Sequence, residues 1–326
     1  MALVTLVLAS MLSASTRVLS LALLLVVVGG GAALAQETPA PERERPDTLT
    51  VMTYNVLYAT PDGGTIRAIE AADADLVGLQ EISEPRLRVI ADSLGYYFHH
   101  HGEHEASGEN DTGLLSRYPL SQVTRYGATI YLTVNDPVHI ANVHLSPYPY
   151  EPYELRDGEL DPDEAVAQAR FSRLPEIQPV LEALEEPLGS GAPVLLTGDF
   201  NEPSHLDWTE EAAAAGLHLG ETVAWPTSRE IVRHGFRDAF RAAHPDEVER
   251  PGSTWTTLTG DPDEVHDRID MVYVAGDGVE VVDAYTIGLR DEPPTDVAVE
   301  GYPSDHRSVV VTIALGDPAD RSSGME

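Results

Sequence analysis

From Leu49 onward the chain alternates short apolar runs with stretches whose apolar positions recur every three or four residues. The runs Leu49–Val56, Asp75–Leu79, Gly113–Ser116, Val138–Leu145, Pro193–Leu196, Ile269–Val274 and Val309–Leu315 predict strands. Helical spacing covers Thr65–Ala72, Pro85–Leu94, Asp163–Leu184 and Trp208–Ala215. No segment repeats, and there is no Gly-rich phosphate loop. The pattern is that of a mixed α/β domain over residues 49–315, preceded by a polar, Pro-rich linker at 36–48 and followed by a disordered tail at 316–326.

Residues 1–35 follow a different logic. A single charge, Arg17, precedes the apolar run Val18 to Val28, a Gly triplet and Ala33-Leu34-Ala35. A short basic region, an apolar stretch of about 11 residues and an A-x-A site make a secretory signal peptide. The run is short of the roughly 20 apolar residues a membrane span requires, so a stable span is not expected and a secreted or periplasmic location is. Arg17 sits far from Met1, and a start at Met11 would bring it close to the amino terminus.

Inside the domain the strand pattern breaks repeatedly, mostly at or near strand ends. Asn55 falls where alternation favours an apolar residue, and Glu81 closes the second run. Asn142 and His144, two apart, share a face of the fourth. Asp199 and Asn201 follow an apolar run and a Gly, Asp270 interrupts an apolar strand, and Asp305-His306 opens the last one. Any one of these alone reads as a turn cap. Several carboxylates next to cores are another matter, because each is costly unless paired, hydrogen-bonded or bound to a metal. Carboxylate and amide oxygens are the ligands of a hard divalent cation, Mg²⁺, Mn²⁺ or Ca²⁺, whereas zinc favours nitrogen and sulfur.

Composition narrows the chemistry further. The chain has 42% hydrophobic and 23% charged residues, the make-up of a globular protein rather than a disordered one. Cysteine is absent, which excludes disulfides, thiolate metal sites and Cys nucleophiles. The 54 acidic residues face 20 cations, every one of them Arg, for a net charge of −34. Such a field repels polyanions, so binding of nucleic acid by counterion release is not favoured. It suits a halophilic protein, because concentrated salt screens the self-repulsion.

The ordered set TYNV (Thr53–Val56), LQEIS (Leu79–Ser83), LLSRYPL (Leu114–Leu120), NVHL (Asn142–Leu145), GDFNEP (Gly198–Pro203), DRIDMVYV (Asp267–Val274) and SDHRSVV (Ser304–Val310) resembles the endonuclease/exonuclease/phosphatase superfamily. The resemblance implies a four-layer α/β sandwich, with two mixed sheets packed face to face and helices outside. It also implies divalent-metal-dependent cleavage of phosphoester bonds. By that resemblance Glu81 is the principal metal ligand, with Asn55 beside it and Asp305 completing the shell. His306 is the general base for water, oriented by Asp270. Asp199 and Asn201 position water and phosphoryl group, and His144 donates a hydrogen bond to a phosphoryl oxygen. Whether Asp199 or His306 takes the proton stays open. His144 in NVHL matches deoxyribonuclease-like, phosphatase and sphingomyelinase members, and the absence of basic DNA-gripping loops disfavours repair.

Three features stay ambiguous at this level. The His99–Glu105 run is a second metal site or a solvated loop. Ser146–Glu164 is an aromatic lid built on Tyr148, Tyr150 and Tyr153, or a Pro-stiffened acidic surface loop. Trp255 and Arg268 read as packing for the strand of Asp270. The expectation is a secreted, monomeric phosphoesterase, favouring phosphodiesters over monoesters. The alternatives are an extracellular nuclease on DNA or RNA and a non-catalytic binding module that keeps the fold.

Overall fold

A computed structural model describes residues 44–101, 111–257, 263–290 and 294–318. The expected signal peptide and most of the linker lie outside the described residues, as does His run positions 102–105. The strands in chain order are β1 (Thr48–Asn55), β2 (Leu76–Gln80), β3 (Tyr97–His100), β4 (Gly113–Ser116), β5 (Leu120–Ser121), β6 (Gly127–Tyr131), β7 (Pro137–His144), β8 (Val194–Asp199), β9 (Arg237–Asp238), β10 (Asp270–Ala275), β11 (Val279–Gly288), β12 (Val297–Ala298) and β13 (Ser308–Leu315). The α-helices are α1 (Asp62–Ala72), α2 (Glu84–Leu94), α3 (Glu151–Arg156), α4 (Pro162–Ser172), α5 (Leu174–Gly189), α6 (Glu210–Ala214), α7 (Pro226–Arg233) and α8 (Ala239–Ala243).

The strands form two mixed sheets. One runs β12-β11-β13-β1-β2-β4-β3 and the other β5-β6-β7-β8-β10-β9, with β1 parallel to β2 and β7 parallel to β8. The sheets pack face to face, β1 and β2 against β7, β8 and β10. Alternation sorts the side chains into layers. Val51, Leu76, Ile140, Leu195, Val272, Val309 and Val311 fill the space between the sheets. On the far face of the first sheet, Met52, Tyr54, Val77 and Leu79 pack on Ala68 and Ile69 of α1 and on Leu87 and Ile90 of α2. On the far face of the second, Val143, Val194 and Leu196 meet Ile177, Val180 and Leu181 of α5. This is the four-layer α/β sandwich expected.

Along the strands the layer between the sheets changes character. It is aliphatic at one end and becomes polar toward the other, where Gln80 Nε2 and Thr197 Oγ1 donate to Asn142 Oδ1 at 2.7 and 3.0 Å. Asn142 Nδ2 donates in turn to the carbonyls of Leu79 and Gly113. Gly78 makes room for this hub, since a Cβ there would lie 2.2 Å from Thr197 Oγ1 and 2.5 Å from Asn142 Oδ1.

Most expected elements form within three residues of their predicted ends, and two of the departures have a clear local cause. The stretch expected as one helix over Asp163–Leu184 is two, α4 and α5. Pro175 has no N–H for the carbonyl of Phe171, so the ladder breaks. Arg173 at the break turns its fully buried guanidinium to Glu151 Oε2 at 2.7 Å. The helix expected from Trp208 begins at Glu210, because Thr209 Oγ1 accepts from the Ala212 N–H and caps it. Among the described residues no helix is long and apolar enough to cross a membrane.

Candidate active site

The residues singled out at strand ends converge on one rim of the sandwich. In the second sheet the register places His144 opposite Asp199 and Asp199 opposite Asp270, a lateral row across β7, β8 and β10. From the first sheet come Asn55 at the end of β1 and Glu81 just past β2. Asp305 and His306 precede β13. All occupy the end of the layer between the sheets that lies beyond the Asn142 hub.

Asp199 is the centre of the cluster. Its Oδ2 accepts from Asn55 Nδ2 at 2.9 Å and lies 3.7 Å from His144 Nε2 and 3.8 Å from His306 Nδ1. Its Oδ1 accepts from the Asn201 N–H at 3.0 Å. Asn55 Nδ2 also donates to Glu81 Oε1 at 3.0 Å, while its Oδ1 accepts from the Leu57 N–H, so Asn55 bridges the two carboxylates as a donor. Asn201 Nδ2 donates to the Leu145 carbonyl.

Glu81 and Asn201 hold φ values of 56° and 49°. Asn tolerates the left-handed region, but Glu pays roughly 1–2 kcal/mol to stay there. That strain persists because Asn55 and the Tyr58 N–H fix both oxygens of Glu81.

His306 Nδ1 donates to Asp270 Oδ2 at 2.8 Å inside the protein. Burial opposes the imidazolium, but the charges of Asp270, Asp199 and Asp305 outweigh it and push His306 up to about 10. Burial pushes Asp270 up too, and Asp199 adds to it, against the pull of His306. We place the shared proton on His306 because three carboxylates surround it. Thr254 Oγ1 accepts from the N–H groups of Ile269 and Asp270 and so anchors the start of β10. The Trp255 ring lies 4.8 Å from the His306 ring.

His144 belongs to a second pair that sequence reasoning missed. Its Nδ1 donates to Asp111 Oδ2 at 2.7 Å, and the Tyr58 hydroxyl donates to the same oxygen. Burial again opposes the charge. The Asp111 hydrogen bond, with Asp199 and Glu81, outweighs it and pushes His144 up to about 9.

The cluster opens into a cavity of about 300 Å³, lined by Glu81, His144, Asp199, Asn201, Asp305 and His306 together with a wall of aromatic residues. Two of the ambiguous features meet in that wall. Tyr148, Tyr150 and Tyr153 line the cavity, and their segment contains α3 rather than being a surface loop. Trp255 lines it as well, beyond the packing role expected of it. Arg268 is the buried packing residue expected, held by Asp207 and Asp238.

The donor set fits a hard cation. Asp270 Oδ1 and Asp305 Oδ1 are buried carboxylate oxygens without a hydrogen-bond partner. One ligand atom from each of Asp199, Asp270 and His306 lies within 4.8 Å of the others, a grouping that differs from the Glu81, Asn55 and Asp305 set expected from the sequence.

A two-sheet α/β sandwich with carboxylates, amides and two paired histidines at one rim is a hydrolase architecture for a charged group and a divalent cation. The sequence model of the Endonuclease/Exonuclease/phosphatase family matches residues 52–306, and the chain belongs to that family, whose members are metal-dependent hydrolases of phosphoester bonds. An uncharacterized protein of Caenorhabditis elegans is 29% identical over 293 residues, covering 80% of this chain and 90% of that protein. Zebrafish (D. rerio) TDP2 complexed with a single-strand DNA product superposes with a TM-score of 0.52 at 16% identity, over 83% of this chain and 100% of that one. An AP endonuclease from Archaeoglobus fulgidus gives 0.53 at 15%, over 81% and 98%. At these identities the two structures share the fold.

Proposed function

We propose that the protein is an exported, divalent-metal-dependent phosphodiesterase in which water attacks phosphorus with the help of the His306–Asp270 pair. The observation that carries this reading is that buried pair, hydrogen-bonded at 2.8 Å and facing Asp199 across the cavity rim. Its export rests on the signal-like pattern of residues 1–35.

Glu81 and Asp305 would hold the cation, with Asn55 fixing Glu81 and Asp199 by donating to both. A divalent cation held there would polarise the phosphoryl group and stabilise charge on the departing oxygen, and its positive charge would weaken the hold of His306 on its proton. His306 accepts a proton from the water whose oxygen forms the new bond to phosphorus, and the bond to the ester alcohol breaks. Asp270 holds the imidazole in place and stabilises its charged form, as the carboxylate does in a hydrolase triad. Asp199 and Asn201 position the water, and His144, kept charged by Asp111, donates to the phosphoryl oxygen where charge grows.

The test is a substrate panel. Purified protein is assayed on bis(p-nitrophenyl) phosphate, p-nitrophenyl phosphate, plasmid DNA, RNA and sphingomyelin with Mg²⁺, Mn²⁺ or Ca²⁺. Metal-dependent turnover of the diesters above the monoester supports the reading. Turnover confined to DNA or RNA moves the nuclease ahead of it, and no turnover on any substrate leaves a binding module.

A further inference from the structure

The aromatic wall is not used by the proton chemistry. Tyr58, Tyr148, Tyr150, Tyr153 and Trp255 line the cavity together with Glu81, Asp199 and Asp305, and no Arg is among the lining residues. The wall is held from behind. Tyr150 donates to Asp267 Oδ2 at 2.8 Å, and Tyr153 donates to Glu264 Oε1 at 2.7 Å while accepting from Trp255 Nε1 at 3.0 Å. Arg173 donates to the carbonyls of Ser146 and Pro149, which fixes the backbone on both sides of Tyr148. Tyr148 itself is 74% exposed, a large ring with little to pack on.

Three physical facts point the same way. A phenol that donates its O–H to a carboxylate has a more electron-rich ring, and a ring face attracts cations. Tyr153 already carries one, the Arg156 guanidinium 4.8 Å from its centroid. The net charge of −34 draws cations toward the cavity mouth and repels polyanions. A substrate that suits both halves of the cavity carries its negative charge on phosphorus and a positive charge on one ester arm.

We propose that this wall is a subsite for an organic ammonium group, so that the preferred substrate is a zwitterionic phosphodiester. The proposal rests on the phosphodiesterase reading above, and its test keeps the two apart. Two p-nitrophenyl phosphodiesters are compared, the choline ester and its dimethylbutyl isostere, in which carbon replaces the charged nitrogen. Rates are measured with Mg²⁺, Mn²⁺ or Ca²⁺ in about 0.5 M KCl, which screens the general field of the protein. The choline ester should be favoured in kcat/KM by on the order of tenfold, with Tyr148→Leu and Tyr153→Leu each lowering that ratio about threefold and Tyr148→Phe keeping it. Equal turnover of the two esters by the wild type overturns the subsite and leaves the phosphodiesterase standing. If neither ester is hydrolysed, the phosphodiesterase reading is decided by the substrate panel above and the subsite by calorimetry of the metal-free protein with tetramethylammonium chloride. Saturable binding that Tyr148→Leu weakens then supports it, and absence of binding overturns it.

Discussion

Replacing Asp111 by Asn should release His144 from its charge, and the loss should depend on pH in a defined direction. In the folded protein His144 is pushed up to about 9, from an ordinary value of 6.5. At 1.36 kcal/mol per pKa unit the difference corresponds to roughly 3 kcal/mol of preference for the charged form. Asp199 and Glu81 contribute to that preference, so removing the Asp111 charge should cost about 1–3 kcal/mol. A histidine raised on folding binds its proton more tightly in the folded state. Its stabilisation is complete below about pH 6.5 and fades as pH climbs through about 9. Urea unfolding of metal-free wild type and Asp111→Asn, from about pH 6 to 9.5, should therefore show a stability gap that is widest at low pH and closes at high pH. The variant should also lose on the order of 10² in rate near neutrality, as a charged donor to the phosphoryl oxygen is lost. A gap that stays constant across that pH range would refute the claim that Asp111 keeps His144 charged.

The other variants separate the roles within the cluster. Glu81→Gln should lose activity that extra metal partly restores, whereas His306→Ala should lose on the order of 10²–10⁴ in rate with no such rescue; kinetics across a metal titration distinguish them. Asp270→Asn should lower the rate yet keep metal affinity in calorimetry, and affinity lost there would make Asp270 a ligand. Gly78→Ala should destabilise the fold by about 1–3 kcal/mol in denaturant unfolding, because its Cβ would collide with Thr197 and Asn142. Melting temperature should rise from about 0.05 to 2 M KCl as the net charge of −34 is screened, and a flat profile would remove the case for a salt-adapted protein.

Much of the site was legible in the sequence because it breaks a rule. Asp270 sits at an inward position of a strand whose other inward residues, Val272 and Val274, are apolar, while Asn55 and Asp199 end inward rows that begin apolar and pass through one Thr each, Thr53 and Thr197. His144 was visible on the same ground. Asp111 and Tyr58 were not, since both lie in irregular segments where a polar residue violates nothing. The only available signal was Asp111's place just ahead of β4, and the pairing with His144 spans 33 residues. In the fold, central strands were found more readily than peripheral ones. β3, β5, β6, β9, β11 and β12 were missed. The burial of β11 is mixed, with exposed Glu280 and Asp283 breaking its apolar run and a register shift between Val281 and Asp283. The break between α4 and α5 was readable at Pro175, but helical spacing continued across it.

The most direct test of the account is hydrolysis of bis(p-nitrophenyl) phosphate in oxygen-18-enriched water, with and without EDTA, by wild type and by His306→Ala. The account predicts label in the p-nitrophenyl phosphate product and none in the nitrophenol, loss of the reaction in EDTA, and a rate lowered on the order of 10²–10⁴ in the variant. Label in the nitrophenol, turnover that survives EDTA, or a wild-type rate for His306→Ala would contradict it.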